Sequence, residues 1–344
     1  MNTKRFKEPT YVDNKNLSYF LKEHYDLDLH HKKVIAAGAF GKIFKISTKD
    51  EQNFALKSFY TAFHYTKEDP DASFLRCKRA VEEYVNNIYR GYEEYKNEFL
   101  VQILNSKRNW PIATNSYVME YVEGENIYSL ISTKKLYDSK NYSKEDMGII
   151  LLNYAQMLKN LHDKNYLFLD VDWSSVFYDE RNKKIIVTDI DSIAQINKIN
   201  EVELREDPFE KGGTLIHRPS FVSFGKLMFR NRDFVKRTYE DENNLVNLTF
   251  NSELQSFAMM IDTLLNGSTF MESKFPKDGK FANWRLGEFL FRGKSLEQDI
   301  KYTQDRYKSI PKNLRVIVRD MFEPNPKQYV ASDFISAIKE DYKL

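Results

Sequence analysis

Apolar residues along the chain follow two rhythms, and each predicts its own kind of element. Val34 to Ile46 (VIAAGAFGKIFKI) and Asn53 to Tyr60 (NFALKSFY) are short runs of strand-forming residues; such runs bounded by turn residues predict strands. The first is two β runs joined by the small-residue turn Ala36-Ala37-Gly38-Ala39-Phe40-Gly41. From about Ala72 to Glu98 the rhythm changes. Val81, Tyr84, Val85 and Ile88 recur at helical spacing in a long polar stretch, which predicts a helix with that face on a sheet. A second helix opens on Ser143 with Asp146 three residues later, the pattern of a capping box. Met147, Ile150, Leu151, Tyr154, Leu158 and Leu161 form its apolar stripe. Val176-Phe177-Tyr178 and Ile185-Ile186-Val187 flank the turn signal Asp179-Glu180-Arg181-Asn182, which predicts a hairpin. A short helix is expected near the start, at Leu17 to His24.

Composition narrows the class. A chain of 344 residues that is 42% hydrophobic can bury a large core in one two-lobed unit or two small domains. With 52 basic and 50 acidic residues the net charge is +2, so neither a nucleic acid nor a membrane partner is implied. The 15% aromatic share is spread along the chain and reads as core filling rather than as a stacking platform. One cysteine, Cys77, allows no intramolecular disulfide and fits a reducing compartment. The run MGIILLNYAQML is broken by Gly148 and Asn153 and is too short to span a bilayer. The charged start, MNTKRFKEPTYVDNK, has no apolar run of a secretory signal. Cytoplasm is the expected location, with delivery into another cell by a signal-free route as the alternative.

Candidate chemistry concentrates between Asn165 and Ala194. Asp170 and Asp189 lie in two acidic loops on either side of the expected hairpin, which would hold both carboxylates at one end of its ribbon. Such a pair suits metal-assisted phosphoryl transfer, where one carboxylate orients a hydroxyl nucleophile and the other holds Mg²⁺ against the phosphates. The plainer reading is a surface hairpin with solvated acids. Upstream, the small residues of the 36–41 turn let backbone N–H groups approach a polyphosphate. Lys57 sits inside an apolar strand, which is costly unless the ammonium meets an anion, so it is a candidate partner for phosphates.

Taken in order, these segments resemble the protein kinase superfamily of the eukaryotic-like Ser/Thr type, from about Lys32 to the C-terminus. The small-residue turn is followed by Phe54-Ala55-Leu56-Lys57, which matches the family's Val-Ala-Ile-Lys strand. SYVMEYVEGENI (116–127) is similar to the strand and hinge, with Met119 at the gatekeeper position. Leu161-His162 precedes the catalytic loop, Phe168-Leu169-Asp170 stands for His-Arg-Asp, and Asp189-Ile190-Asp191 for Asp-Phe-Gly. Glu253 to Gly267 resembles the buried helix that begins with Asp, and Arg315 to Ile338 the closing helices, with a Glu-Pro-Asn-Pro turn between them.

The resemblance implies an α+β, two-lobed protein-kinase-like fold. An N-terminal extension (1–31) would precede a five-stranded, helix-interrupted N-lobe (32–122) and a mainly helical C-lobe (123–344). It implies ATP and Mg²⁺ (or Mn²⁺) as cofactors and Ser/Thr hydroxyls of a protein as acceptor. Asp170 would be the catalytic aspartate, with Asp189 and Ser175 as metal ligands. Lys57 would grip the phosphates, steadied by Glu82, preferred over Glu83 because it shares a face with Val85 and Tyr89. Ala36, Gly38, Phe40 and Gly41 would form the phosphate turn. Ile35, Ile43, Ala55, Met119 and Phe177, core residues on any reading, would surround the adenine, and the backbone of Glu120 and Val122 would bind its edge. His162 is expected to be a buried structural histidine.

Departures from the family pattern are as informative. Ser175 stands where Asn is usual, Asp172 replaces a lysine, and Asp191 replaces a glycine. Four aspartates together would repel one another and raise some pKa values unless metal ions compensate. The expectation is either stronger metal dependence or nucleotide binding without turnover. Leu169 replaces the arginine that pairs with an activation-loop phosphate, so switching by that phosphate is not expected. In GGTLIHRPS, Ser220 stands at a glutamate position, and Tyr329 at that of its arginine partner; losing both avoids stranding one buried charge. Phe224 to Thr249, rich in basic and aromatic residues, would lie near a peptide site. The alternative class is a pseudokinase acting as a nucleotide-binding or scaffold module. A small-molecule phosphotransferase shares the Asp pair, but the glycine turn and closing helices argue against it.

Overall fold

A computed structural model describes residues 14–37, 41–59, 85–104, 115–168, 172–195, 250–267, 307–321 and 327–344. The described residues fall into two compact units. One holds those up to Lys96 together with Val101–Glu123; the other holds Asn97–Leu100 and those from Gly124 onward.

The first unit is an antiparallel sheet in the order β1-β2-β3-β4, with β1 Leu29–Ala37, β2 Gly41–Thr48, β3 Asn53–Phe59 and β4 Ser116–Glu120. Cross-strand partners share a face, and successive residues alternate faces. The register pairs Phe44 with Leu56 and Leu56 with Val118, which sets these on one face. Helix α1, Asn14–Tyr25, covers that face by packing Leu17, Leu21 and Tyr25 against Phe44, Ile46, Leu56 and Val118. The helix expected in an N-terminal extension is therefore built into the sheet's core, and β1 already begins at Leu29. Lys22, paired with Asp26 (3.0 Å) and Asp28 (2.8 Å), and a left-handed Asp26 end the helix and turn the chain into β1.

Four strands are described where five were expected. Residues 102–104 supply an incomplete fifth: Leu104 N–H donates to Val118 O and Glu120 N–H to Gln102 O, each at 2.9 Å. The helix expected over 72–98 is described at 85–95 and named α2; it stops short because Asn97 turns the chain, its side-chain oxygen accepting Phe99 N–H. Val85 and Ile88 are buried as expected, whereas Val81 and Tyr84 lie outside the described residues.

The second unit is mainly helical. Helix α3 is Ile127–Ser132 and α4 is Lys144–His162, which starts on the expected capping box: Asp146 N–H donates to Ser143 Oγ and Ser143 N–H to Asp146 Oδ2. Of its stripe, Ile150, Leu151, Tyr154, Leu158 and Leu161 are fully buried and Met147 half-buried. The two residues that break its apolar run both have a job. A Cβ on Gly148 would come 2.5 Å from the Tyr342 ring, so glycine permits the close approach of the last helix. Asn153 Oδ1 accepts Ile185 N–H at 3.1 Å, tying α4 to a strand.

Strands β5 (Tyr166–Phe168), β6 (Val176–Asp179), β7 (Lys184–Val187) and β8 (Ile193–Gln195) form two antiparallel pairs, β5-β8 and β6-β7. The β6-β7 hairpin turns where expected, with Asp179 Oδ1 accepting the N–H groups of Arg181 and Asn182. Helices α5 (Phe250–Asn266), α6 (Lys312–Met321) and α7 (Ala331–Tyr342) complete the unit. Phe257 of α5 stacks on Tyr154 at 5.1 Å and meets Phe334 of α7 at 5.3 Å; the aromatic share does fill cores. The fold class is α+β. Among the described residues no helix is long and apolar enough to cross a membrane.

Candidate functional site

In the first unit, the register puts the residues named for nucleotide contact on the face opposite α1. Lys57 is flanked by Ile43 on β2 and Tyr117 on β4, and Ala55 by Lys45 and Met119. Ala36 pairs with Ile43 and so joins the same face. Ala55 and Met119 are buried, Ile43 and Lys57 half-buried. The Lys57 ammonium lies 5.7 Å from the centroid of the Phe59 ring, an approach that adds cation–π attraction.

Gly41 has a structural reason to be glycine. A Cβ there would sit 2.2 Å from Ser58 O, inside the β2-β3 ladder. Ile35 corrects an expectation: it is 45% exposed rather than core. It lies in a register shift between Val34 and Ala36 on the edge strand, where the bulge takes it out of the alternation. Gly38, Phe40 and Glu82 lie outside the described residues.

At the end of β4, Glu120 N–H is committed to Gln102 O, while Gln102 N–H goes to the Glu120 carboxylate at 3.1 Å. Val122 follows, half-buried.

The remaining named residues belong to the second unit. Phe177, on β6, pairs with Ile186 and bridges to Asn126; it is half-buried, not fully core. At the open end of the hairpin Val176 faces Val187. One step further, Thr188 N–H and Oγ1 both donate to Ser175 O, at 2.9 and 3.1 Å. These bonds fix Asp189, the next residue, relative to Ser175. Asp189 begins a short 3₁₀ turn, Ile190–Ser192, and its carbonyl accepts from Ser192 N–H and Oγ. Asp170 lies outside the described residues, so the expected pairing of its carboxylate with Asp189 does too.

Two of the departures have local structural work. The Asp172 carboxylate caps the 3₁₀ turn Trp173–Ser175, accepting Ser174 N–H at 2.7 Å. Ser175 is 3% exposed, and its hydroxyl donates to Asp172 O at 3.0 Å, which leaves its lone pairs as acceptors. Asp189 and Ser175 offer oxygen donors, which suit Mg²⁺; that ion is usually held by one or two protein ligands, with phosphates and waters completing the shell. Among the described residues no three His, Cys, Asp or Glu side chains gather into a fuller cage.

Helix α5 bonds to the chain at Phe168 and at Trp173. The buried Glu253 carboxylate accepts Phe168 N–H, and its other oxygen meets His162 Nε2. His162 is thus structural, as expected. Burial pushes the Glu253 carboxyl up, opposed by His162 and by the Phe168 N–H. At the second point, Trp173 Nε1–H donates to Met260 O at 2.9 Å. Trp173 carried no motif; a lone tryptophan in a polar loop was its only signal.

A second hub joins α4 to the hairpin. Asp146 accepts from Tyr178 Oη at 2.7 Å and pairs with Lys183, in addition to its capping bonds. Burial alone would raise its carboxyl, but the bonds from Lys183, Ser143 and Tyr178 outweigh that and hold it well below the usual range.

Compared with known proteins, the chain matches no family model and no curated sequence.

Proposed function

We propose that this chain is a protein-kinase-like phosphotransferase, with a two-lobed fold of that type, moving the γ-phosphoryl group of ATP to Ser/Thr hydroxyls of a protein substrate. The observation that carries the reading is the sheet register, in which Ile43, Ala55, Lys57 and Met119 share the face opposite α1. That face offers apolar walls for a flat ring and, in Lys57, an ammonium for phosphates, the mixture expected of a nucleotide site. Support also comes from α5, whose bonds to Phe168 and Trp173 restrain the chain on either side of residues 169–171.

In this mechanism Lys57, steadied by Glu82, grips the α- and β-phosphates, and the Glu120 carbonyl and Val122 backbone hold the adenine edge. Asp170 orients the acceptor hydroxyl. Asp189, with Ser175 assisting, would hold Mg²⁺ or Mn²⁺, which would supply charge neutralisation for the phosphates when bound. Leu169 brings no cation to the loop, so no activation-loop phosphate is required.

The test is incubation with radiolabelled ATP and Mg²⁺ or Mn²⁺, alone and with generic protein substrates. Transfer in wild type that is lost in Asp170→Asn, with ATP binding kept, is the expected result. The second reading, a pseudokinase, is favoured by the local engagement of Ser175 and Asp172. ATP binding with no transfer under any metal selects it, and absence of ATP binding sinks the nucleotide site altogether.

A further inference from the structure

We propose that Tyr25 of α1 is a positioning residue for Lys57, coupled to it around the edge of the sheet through Tyr89 and Tyr117. The functional meaning of that coupling rests on the nucleotide-site reading of Lys57 above.

Helix α1 packs on the face opposite Lys57. The link is a chain of rings. The hydroxyls of Tyr25 and of Tyr89 on α2 meet in a hydrogen bond, with both side chains buried. The backbone of Val118 on β4 hydrogen-bonds at the same point. The Tyr89 ring then meets Tyr117 edge to face, at 6.3 Å and 78°. Tyr117 is the cross-strand partner of Lys57, and its ring lies 6.1 Å from that of Phe59, over which the Lys57 ammonium sits.

The junction is rigid for physical reasons. A phenol removed from water must keep its partners, so the two hydroxyls and the Val118 backbone hold one another in place. Burial pushes the Tyr25 phenol up to about 12 and Tyr89 higher still, so both remain neutral across the range in which proteins are ordinarily folded. Close-packed rings transmit a displacement rather than absorb it. A shift of α1 therefore moves α2, then Tyr117, then the bed on which Lys57 lies.

Tyr25→Phe removes one hydroxyl, Tyr25→Ala removes the ring, and Tyr19→Ala, at a position 66% exposed on the same helix, serves as control. Mg·ATP affinity is measured well below the melting temperature, alongside hydrogen exchange of the backbone amides at 85–95 and 116–120. The expected result is a loss of ATP affinity of roughly two- to tenfold for Tyr25→Phe, the size of one lost hydrogen bond. Tyr25→Ala should lose more, with faster exchange in both α2 and β4, and Tyr19→Ala neither. A merely structural role would lower the melting temperature and loosen β4 around Val118, on which Tyr25 packs, while leaving affinity unchanged, and that result overturns the proposal. Should wild type bind no Mg·ATP, the nucleotide reading falls by itself. Exchange then decides the coupling: an effect of Tyr25→Ala on the Tyr117 amide that disappears in a Tyr89→Ala background supports it, and the same effect with or without Tyr89 overturns it.

Discussion

Lys57 concentrates the argument at the scale of single residues. Lys57 is half-buried, with Ile43 and Tyr117 as cross-strand partners and its ammonium over the Phe59 ring, and in the proposed site that charge attracts a phosphate. Methionine matches the stem of lysine and removes only the charge. Lys57→Met should therefore weaken Mg·ATP binding about tenfold or more, in line with loss of a charge-assisted bond, while leaving the melting temperature within a few degrees. Calorimetric titration with parallel thermal melts checks both. Equal affinity in the two proteins would remove Lys57 from the site. Ile35 shows the opposite case, an apolar residue whose type suggested burial and whose place in an edge-strand bulge denies it.

At the scale of elements, two buried carboxylates hold segments in place, and they do so with opposite pKa shifts. Asp146 binds the start of α4 to the hairpin and titrates below the ordinary value. Its contribution is present above the unfolded carboxylate pKa of about 4 and fades as the pH falls through the lower folded value. Wild type should be more stable than Asp146→Asn at pH 7, by about 1–3 kcal/mol, and the gap should shrink steadily below about pH 4. Urea melts at a series of pH values read this directly, and a gap independent of pH would contradict it. Glu253 is pushed the other way by burial, so its worth lies in accepting Phe168 N–H. Glu253→Gln keeps an acceptor there and Glu253→Ala does not. The alanine variant should lose about 1–3 kcal/mol of stability along with most of any phosphoryl transfer. The glutamine variant should retain more of both; equal losses in the two would mean that charge, not the bond to Phe168, is what matters.

These elements also show why some of the fold was legible and some was not. The capping box at Ser143 and the turn at Asp179 depend on residues a few positions apart, so spacing alone revealed them; the grouping of Ile43, Ala55 and Met119 came only from the family resemblance. The packing of α1 on Phe44 and Leu56 joins segments about thirty residues apart, and the Tyr25–Tyr89 bond spans 64. No local rhythm encodes such pairs. Glu253 was legible as the start of a helix, but its partners His162 and Phe168 were not.

For the molecule as a whole, the proposed kinase and pseudokinase readings of this α+β chain part at Ser175 and Asp172. As a metal ligand, Ser175 offers a hydroxyl whose proton is already given to Asp172 O. Ser175→Ala should then raise the metal concentration needed for turnover, since one oxygen donor is lost. Ser175→Asn should hold or increase activity, because an amide oxygen is a better ligand. Asp172→Lys would bring a cation toward the γ-phosphate, but it would also remove the cap on the Trp173–Ser175 turn; the expected crowding of aspartates is not seen among the described residues, where no three acidic side chains gather. The two functions therefore predict different outcomes from the same double variant. In a working acidic site adapted to its own metal demand, wild type transfers phosphate and Asp172→Lys lowers the rate, with Ser175→Asn, Asp172→Lys no better. In a scaffold that has abandoned catalysis, transfer appears only in the double variant. Because Asp172 caps its own turn, the first outcome is expected. A label-transfer series across Mg²⁺ and Mn²⁺ concentrations, with circular dichroism to check that the turn's loss leaves the fold intact, separates them.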